Sequence, residues 1–521
     1  MFNKSYKILC TIFLSAIAIV VNHHYGSLGV FPINTFSYFD TGYRILNGEA
    51  PFIDYWTISG PFIDFFQALY FSILGVNWNS YLLNGSIINL IITLVCFSLF
   101  QKLGLDYKFS FFYSICIAIL ANPSMGTPFP DHYSSFFSLL AIICFIYALE
   151  TKKNLFWFFI PILFFIAFFC KQTPAAYVNL IFILNLIIYL LIKKNLNFIK
   201  PMIYGVIISF IIFFIFIWSY KIELNSFITQ YFLFPQTIGL YRALEWDITF
   251  NKLVSNLKLI HIVLIPLIYL FLRGIIFKSD YKNKNEFFYN LSIISYSIAL
   301  ILHQMLTLNF IFIFFLIPLL SAFLHINIKK VKYEKIVHTT LLIICLVATV
   351  KYHLRFNEQR KMHILEDINL EKFHYAQIIS PKLEGLKWIS RYDFLSKGEE
   401  IKKVKRIKEI LDKDTKKIMF LSNFNFFSAI LNKPLNSPNR WYGSSNISHP
   451  AKNNSYYKDY LQFNYNLILR KKIDKIYIEV EIGEYYTNMT EEILNFFPSN
   501  CSKTEEIEDV LIVYDISNCF K

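Results

Sequence analysis

Long apolar runs decide what this chain can fold into. Crossing a bilayer core of about 30 Å takes roughly 20 apolar residues, and fewer where neighbouring protein or snorkelling side chains help. Suitable runs lie at residues 8–22, 81–100, 109–121, 134–149, 155–170, 175–192, 201–219, 256–273, 288–303, 306–325 and 336–350. The chain is 55% hydrophobic and 17% charged, whereas a soluble domain carries about 25% charged residues. We therefore expect an α-helical polytopic membrane protein with about 11 transmembrane helices.

The apolar run at 61–75 is interpreted differently. It is short, it contains Asp64 and Gln67, and Pro61 suits the first position of a helix. We expect an amphipathic or re-entrant helix at the membrane surface, with Asp64 on a solvated or loop-paired face. If the run 61–75 does not cross the membrane, seventeen Lys and Arg residues fall in the cytoplasmic loops and five in the opposite loops. The five are Arg44, Lys171, Lys221, Arg242 and Lys252.

This charge bias predicts the orientation of the chain. Cytoplasmic loops are enriched in Lys and Arg, so the N-terminus is expected inside and the tail from residue 351 outside.

The first run has a basic start and no small-x-small cleavage site, and we interpret it as an anchor, not a signal peptide. The expected location is a bacterial inner (plasma) membrane, with a periplasmic or extracellular C-terminal domain. The same loops explain the net charge of +14, so no nucleic-acid partner is expected.

The tail has the mixture of polar and apolar segments that is typical of a globular domain. Residues 397–412 predict an amphipathic helix, and residues 417–422, 474–480 and 509–515 predict strands. The expected domains are 1–350, a transmembrane domain with outer loops 22–60 and 220–255, and 351–521, a small extracytoplasmic α/β domain. Cys501 and Cys519 flank the last strand, and a disulfide between them would pin the chain end in an oxidising compartment. Paired and free states of these two cysteines both stay open.

The first outer loop carries the most informative motif. Asp40 follows the first span, then come Tyr43-Arg44, then residues 46–54, which read LNGEAPFID, then Gly60-Pro61 and the short run. This pattern resembles the GT-C superfamily of membrane glycosyltransferases, closest to its protein O-mannosyltransferase-like and aminoarabinose-transferase-like branch. The resemblance covers residues 1 to about 200, and beyond them only the architecture agrees.

The resemblance implies a fold and an activity. The implied activity is transfer of a sugar from a polyprenyl-phosphate carrier to a cell-envelope glycan, lipid or protein at the outer face of the membrane, with inversion. An acidic residue in the first outer loop would serve as general base, and Asp40 is the matching position. A base must reach the acceptor hydroxyl and remain ionised. A helix cap is the alternative role for Asp40.

Other outer-face residues are candidates for substrate binding. Asp54 either orients the acceptor or binds Arg44, or it is a turn aspartate. Asp131 and His132 stand at a span entrance, where they either line the site or cap a helix. Arg44 offers a guanidinium that suits phosphate.

Lys171 and Gln172 lie where two spans meet at the outer surface. A lone lysine there needs a partner or must snorkel, and a carrier phosphate would be a partner. Arg242 lies beside two acids and Trp246, a group that either lines a sugar site or satisfies its own charges. His303 ends a span at the outer face and is either site-lining or structural. The enzyme hypothesis predicts that Asp40, Lys171 and Asp131 converge in one outer-leaflet cavity.

Competing functions stay open at this point. A transporter or flippase of lipid-linked glycans would show internal repeats or polar midplane helices, and neither is seen. A glycan polymerase or ligase would favour outer Arg and His, whereas these loops are richer in Asp. An inactive relative acting as a scaffold is a further alternative. No P-loop, GxGxxG, HExxH or GxSxG motif occurs, no cofactor is assigned, and a single Asp-His pair leaves a divalent metal open.

Overall fold

The computed structural model describes residues 4–122, 126–244, 249–277, 281–307, 311–328, 334–359, 365, 368–442, 446–499 and 501–520. Helices dominate the described residues. The helices of the first 360 residues are α1 Lys4–Gly26, α2 Pro32–Thr35, α3 Ser37–Leu46, α4 Pro61–Leu74, α5 Trp78–Lys102, α6 Tyr107–Leu120, α7 Pro130–Thr151, α8 Asn154–Cys170, α9 Gln172–Lys193, α10 Ile199–Ser219, α11 Leu224–Ile228, α12 Phe234–Leu244, α13 Lys258–Phe277, α14 Asn285–Thr307, α15 Leu316–Ile328 and α16 Glu334–His353. Those of the tail are α17 Arg391–Leu395, α18 Glu399–Lys413, α19 Phe427–Leu431, α20 Tyr457–Lys471 and α21 Glu484–Leu494.

The helical membrane architecture predicted from the apolar runs is confirmed. Among the described residues, eight helices are long and apolar enough to cross a membrane: α1, α5, α7, α9, α10, α13, α14 and α16. The runs at 109–121, 155–170 and 306–325 correspond to shorter apolar helices, α6, α8 and α15. The bounds of α15 differ most from the predicted run 306–325, because α14 continues to Thr307 and α15 starts only at Leu316. The chain is a multi-pass membrane protein.

The chain divides into two compact units, each formed from three separate segments. The first unit comprises Met1–Gly26, Leu82–Ile215 and Glu245–Met362, and the second comprises Ser27–Tyr81, Phe216–Leu244 and His363–Lys521. The second unit therefore joins most of both predicted outer loops to the tail. The expected boundary between residues 350 and 351 stays a prediction.

Polar side chains tie helices together within the first unit. Asn89 of α5 donates from Nδ2 to the carbonyl oxygens of Ala18 in α1, at 3.0 Å, and Ala118 in α6, at 2.9 Å. The Tyr296 hydroxyl of α14 donates to the Ser135 carbonyl of α7 at 2.9 Å. Between helices in lipid, such bonds satisfy groups that would otherwise be stranded in hydrocarbon.

The tail forms the expected small α/β fold within the second unit. Its strands are β1 His374–Tyr375, β2 Lys387–Trp388, β3 Ile418–Leu421, β4 Lys475–Glu479, β5 Lys503–Ile507 and β6 Leu511–Asp515. The larger sheet has the order β3-β4-β6-β5, with β3 and β4 parallel and the other pairs antiparallel. A disulfide joins Cys501 and Cys519 across β5 and β6.

Residues of both outer loops belong to the hydrophobic core of the tail. Trp56 of the first loop and Phe234 of the second are buried in the cluster that contains Tyr460, Leu467 and Ile476. The Trp56 ring meets the Tyr460 ring edge-on, with centroids 5.2 Å apart. Burying such aromatic surface fixes the path of each loop against the tail.

Candidate functional site

Asp40 lies inside α3, where almost every residue is buried. The helix starts at Ser37 and its N-cap is Phe36, so the cap role considered for Asp40 is wrong. Asp40 is only 2% exposed. Helix α3 packs against α4 on one side and α19 on another, which encloses this carboxylate in protein.

Arg44 organises the polar groups around Asp40. Its Nη1 lies 3.8 Å from Asp40 Oδ2, one helical turn away. Its Nε donates to Glu49 Oε2 at 2.6 Å, and its two terminal nitrogens donate to the carbonyl oxygens of Ser437, at 2.7 Å, and Asp54, at 3.0 Å. The guanidinium is thus occupied by protein groups, and its predicted role as a phosphate ligand stays a prediction.

The surroundings of Asp40 tune its proton affinity. Burial raises the pKa of Asp40 to about 7, the Arg44 cation opposes this rise, and the Glu49 carboxylate adds to it. A general base works best when its pKa lies near the operating pH. Asp40 therefore has a pKa that suits proton abstraction near neutrality.

A second buried carboxylate, Asp64, stands next to this group. It is 0% exposed, although the sequence interpretation favoured a solvated or loop-paired position. The solvated alternative is wrong: Asp64 forms an ion pair with Arg440 of the tail. It also accepts hydrogen bonds from the hydroxyls of Thr41, at 2.6 Å, and Tyr55, at 3.0 Å. Burial raises the pKa of Asp64, and Arg440 opposes the rise.

The Gly60-Pro61 step sets the position of Asp64. Gly60 is the N-cap of α4 and has φ +73°, a left-handed conformation that glycine adopts without strain. A side chain at this position would collide with the Tyr38 hydroxyl. Pro61 then begins the helix, and Asp64 follows within the first turn. The motif thus directs the polar face of α4 towards Thr41 and Arg440.

Asp54 behaves as a turn aspartate. Its Oδ2 accepts from the backbone nitrogen of Ala50 at 2.8 Å, and its Oδ1 lies 2.9 Å from Lys471 Nζ and 3.1 Å from Arg470 Nη2. Burial alone would raise the pKa of Asp54, but the bonds from Lys471 and Ala50 hold it below its ordinary value. Arg44 contacts its backbone oxygen, not its carboxylate. These contacts tie the first outer loop to α20.

The first unit brings together three of the predicted site residues. Asp131 lies in the first turn of α7, with Lys171 Nζ 2.7 Å from Oδ2 and His303 Nε2 2.9 Å from Oδ1. The N-cap of α7 is Phe129, so the capping role considered for Asp131 is wrong. Lys171 is an ion-pair partner, which replaces the snorkelling alternative, and its side chain is 22% exposed. Asp131 and His303 are buried.

His132 is a neighbour of this group. Its side chain is buried, and neither ring nitrogen has a hydrogen-bond partner among the described residues. Aromatic rings surround it, with the Phe312 centroid at 5.0 Å and the Phe129 and Phe136 centroids both at 5.9 Å. Such an arrangement keeps the imidazole in an apolar setting.

The remaining candidates are more loosely placed. Gln172 begins α9 directly after Lys171 and is half-buried. Arg242 is half-buried in α12 without an ion-pair partner in the part of the chain that the structure describes. Its expected neighbours, residues 245–247, lie outside the described residues. No cluster of three or more His, Cys, Asp or Glu side chains that could hold a metal ion occurs among the described residues.

The predicted residues therefore form two groups. Asp40, Arg44 and Asp54 lie in the second unit, and Asp131, Lys171 and His303 lie in the first. Their convergence in one cavity stays a prediction. Sequence reasoning missed two residues of this part of the second unit: Glu49, which pairs with Arg44, and Arg440, which pairs with Asp64.

One feature of the sequence indicates that Asp64 has a charged or hydrogen-bonding partner. A carboxylate within an apolar helix, as at Asp64, requires a cation or a set of donors nearby. The sequence contains many candidate cations, and nothing in it selects Arg440.

Comparisons with known proteins give a fold. No protein-family model matches the chain, and no curated protein matches it by sequence. Among solved structures, ArnT from Cupriavidus metallidurans bound to undecaprenyl phosphate is similar, with a TM-score of 0.50, 8% identity and 98% of each chain covered. An oligosaccharyltransferase from Archaeoglobus fulgidus gives a TM-score of 0.45 at 13% identity, covering 97% of this chain and 73% of that one. The likeness to ArnT shows that this chain has an ArnT-like fold, in agreement with the fold expected from its first outer loop.

Proposed function

We propose that this protein transfers a sugar from a polyprenyl-phosphate carrier to a cell-envelope acceptor, with Asp40 as the general base. The observation that carries the proposal is Asp40 itself. It is a buried carboxylate in the first outer loop, and burial raises its pKa to about 7. The fold likeness to ArnT, solved with undecaprenyl phosphate, supports the donor class.

The proposed step is a single displacement. The acceptor hydroxyl gives its proton to the Asp40 carboxylate as its oxygen forms a bond to the anomeric carbon. The bond from that carbon to the phosphate oxygen breaks, and the polyprenyl phosphate leaves with the electron pair. Attack opposite the leaving group inverts the anomeric centre. The carrier is already activated, so no nucleotide is required.

Lys171 is the proposed partner of the phosphate. Its ammonium is held by Asp131, and part of its side chain remains exposed. Preorganised charge at the point where negative charge develops is the largest single contribution in many enzymes. The Asp131–His303 contact would hold Asp131, and through it Lys171, in position.

We further propose that transfer takes place at the outer face of the membrane, with the N-terminus inside. The positive-inside bias of the loops supports this orientation. Asp40 and Arg44 lie in the short helix α3. Asp131, Lys171 and His303 lie near the ends of α7, α8 and α14, so neither group lies at the middle of a long span. This placement favours the enzyme over a transporter or flippase.

The experiment is sugar transfer in lipid vesicles. Purified protein receives a panel of polyprenyl-phosphate sugars and a cell-envelope extract, and released polyprenyl phosphate is measured. Asp40→Asn is expected to abolish transfer, whereas Asp54→Asn, which changes a turn aspartate, serves as the matched carboxylate control and retains it. Because a raised pKa means that ionised Asp40 destabilises the fold at neutral pH and above, Asp40→Asn is expected to keep or raise the Tm.

A second pair of variants tests the phosphate partner. Lys171→Met is expected to lower the transfer rate by about 100-fold, as loss of one charge-stabilising donor does. Lys221→Met removes another outer-loop lysine and is expected to have little effect.

Equal transfer by native protein and Asp40→Asn would reject the base assignment. Movement of intact carrier without any transfer would favour the flippase alternative.

A further inference from the structure

A cavity lined by residues of the tail and by Val30 and Phe31 of the first outer loop is not used by the proposed chemistry. It has a volume of about 220 Å³ and lies entirely within the second unit. Its lining includes Asn423 and Phe424, which follow β3, and Glu479 and Glu481, which end and follow β4. No lining residue belongs to the group around Asp40.

The position of the cavity relative to the sheet is informative. Strands β3 and β4 are parallel neighbours, so their carboxyl ends meet at the same edge. In open α/β sheets, ligands bind in the crevice outside the carboxyl ends of the parallel strands. The loops that follow β3 and β4 both line this cavity. The sheet thus presents a cavity where this architecture accommodates ligands.

The lining combines aromatic rings with fixed acceptors. Tyr392 is 48% exposed and Phe424 is buried, and Lys403 Nζ lies 5.7 Å from the centroid of the Tyr392 ring and 5.4 Å from that of the Phe424 ring. The Glu400 carboxylate is held by Trp388 Nε1 at 2.9 Å and Ser390 Oγ at 2.7 Å. A sugar ring has an apolar C–H face that packs on an aromatic ring, and hydroxyls that donate to carboxylate and amide oxygens.

The charges of the cavity lining nearly balance. Glu400, Glu479 and Glu481 line it, whereas Arg391 is its one lining cation among the described residues. Lys403 pairs with Glu479 at 2.9 Å and also with Glu481. With Lys403 counted, three carboxylates face two cations, and burial raises the pKa of Glu400 to about 7, so the lining carries little net charge. Such a lining offers polar groups to a neutral ligand with many hydroxyls and no excess positive charge to an anion.

We propose that this cavity binds one neutral sugar ring of the acceptor. The assignment of the ring to the acceptor rests on the proposed function, but the binding of a sugar does not. The volume lies below the roughly 300–1,000 Å³ typical of sites for drug-sized ligands, so one ring fits and a chain does not. The tail would then hold the acceptor glycan while the Asp40 carboxylate accepts the proton of its hydroxyl.

The test measures binding of methyl glycosides to the full-length protein in lipid nanodiscs. Saturation-transfer NMR and calorimetry use methyl glucoside, galactoside, mannoside and N-acetylglucosaminide at millimolar concentrations, with inorganic phosphate and methylamine as charged probes. At least one glycoside is expected to bind, and Tyr392→Leu and Glu481→Gln are each expected to weaken it about tenfold or more. Tyr375→Leu is the matched control, since Tyr375 is an exposed tyrosine of the same unit outside the cavity.

The outcomes separate this inference from the proposed function. Binding that Tyr392→Leu weakens and Tyr375→Leu leaves unchanged supports the sugar site. Absence of glycoside binding, equal binding by both variants, or binding of phosphate or methylamine alone overturns it. Transfer activity is measured on the same preparations. If the native protein transfers sugar but binds no glycoside, only this inference is rejected. If it binds a glycoside but transfers no sugar, only the proposed function is rejected.

Discussion

At the scale of single residues, the second unit is notable for buried charge. Asp40, Arg44, Asp64 and Arg440 are all at most 3% exposed. Taking an ion pair out of water costs about as much as the pairing returns, whereas removal of one partner leaves an uncompensated buried charge. The Asp64–Arg440 pair therefore contributes little net stability but is sensitive to the loss of either member, whereas Arg44 retains Glu49 as an ion-pair partner when Asp40 is neutral.

The Asp64–Arg440 pair gives a testable consequence. Arg440→Met is expected to destabilise the protein by about 3–5 kcal/mol, because Asp64 is left buried without its cation. Asp64→Asn combined with Arg440→Met is expected to recover a large part of this loss. The measurement is the Tm and the free energy of unfolding of detergent-solubilised protein. Additive destabilisation in the double variant would show that the two side chains do not act as a pair.

The sequence could predict single residues only in part. Asp40 and Asp131 were selected by motif and position, and the structure surrounds both with charged partners. The partner of Asp64 lies 376 positions away, in a different part of the chain. Contacts at this separation depend on the tertiary fold, and local patterns carry no information about them.

At the scale of elements, α4 has an unusual distribution of side chains. Its polar residues Asp64 and Gln67 are buried, whereas the opposite face carries Phe62, Leu69 and Ile73. Leu69 is 51% exposed and Ile73 is 71% exposed. A helix with an apolar outer face in a membrane protein is suited to lie in the bilayer interface. This distribution agrees with the surface helix expected from the sequence.

Fluorescence tests this placement of α4. Leu69→Trp is expected to be quenched by brominated lipids in reconstituted vesicles, because the outer face of the helix would contact acyl chains. Tyr375→Trp, at an exposed position of the tail, is expected to be quenched much less. Each signal is compared with that of the native protein, which has 7 Trp residues of its own. Equal quenching at both positions would argue against an interfacial helix.

Regular elements were more predictable than their edges. The helix expected at 397–412 is α18, because its buried residues recur with the helical period. The three expected strands match β3, β4 and β6, because each is a short apolar run rich in β-branched or aromatic residues. Strand β5 was missed. It reads KTEEI, lies at the sheet edge and exposes most of its side chains. Charged edge strands avoid unwanted pairing, and the same charges hide them from a hydrophobicity pattern.

At the scale of the whole molecule, the sequence predicted the class of fold but not the composition of its units. The apolar runs indicated the membrane helices, and the first loop indicated the GT-C-like fold. The outer loops and the tail were expected as separate features. The structure places most of both loops in one unit with the tail, through Trp56, Phe234 and the Asp64–Arg440 pair.

The orientation of the chain is tested by labelling. Lys153→Cys, between α7 and α8, is expected to resist a membrane-impermeant maleimide in intact cells, because this loop is proposed to be cytoplasmic. Tyr375→Cys, in the tail, is expected to react. Permeabilised cells provide the control for accessibility. Labelling of position 153 but not of position 375 in intact cells would invert the proposed topology.

The most direct test of the central claim is the pH dependence of sugar transfer. If Asp40 is the base, kcat/KM falls about tenfold per pH unit below its pKa and is constant above it, because only the ionised carboxylate accepts the proton. Burial raises that pKa to about 7, so the bend is expected near neutrality and not near the ordinary value of 3.8. Any residual transfer by Asp40→Asn is expected to show no such limb. A bend near pH 7, absent in the variant, would support both the transferase and its base, whereas a rate that is flat from pH 5 to pH 9, or no transfer at any pH, would contradict the account.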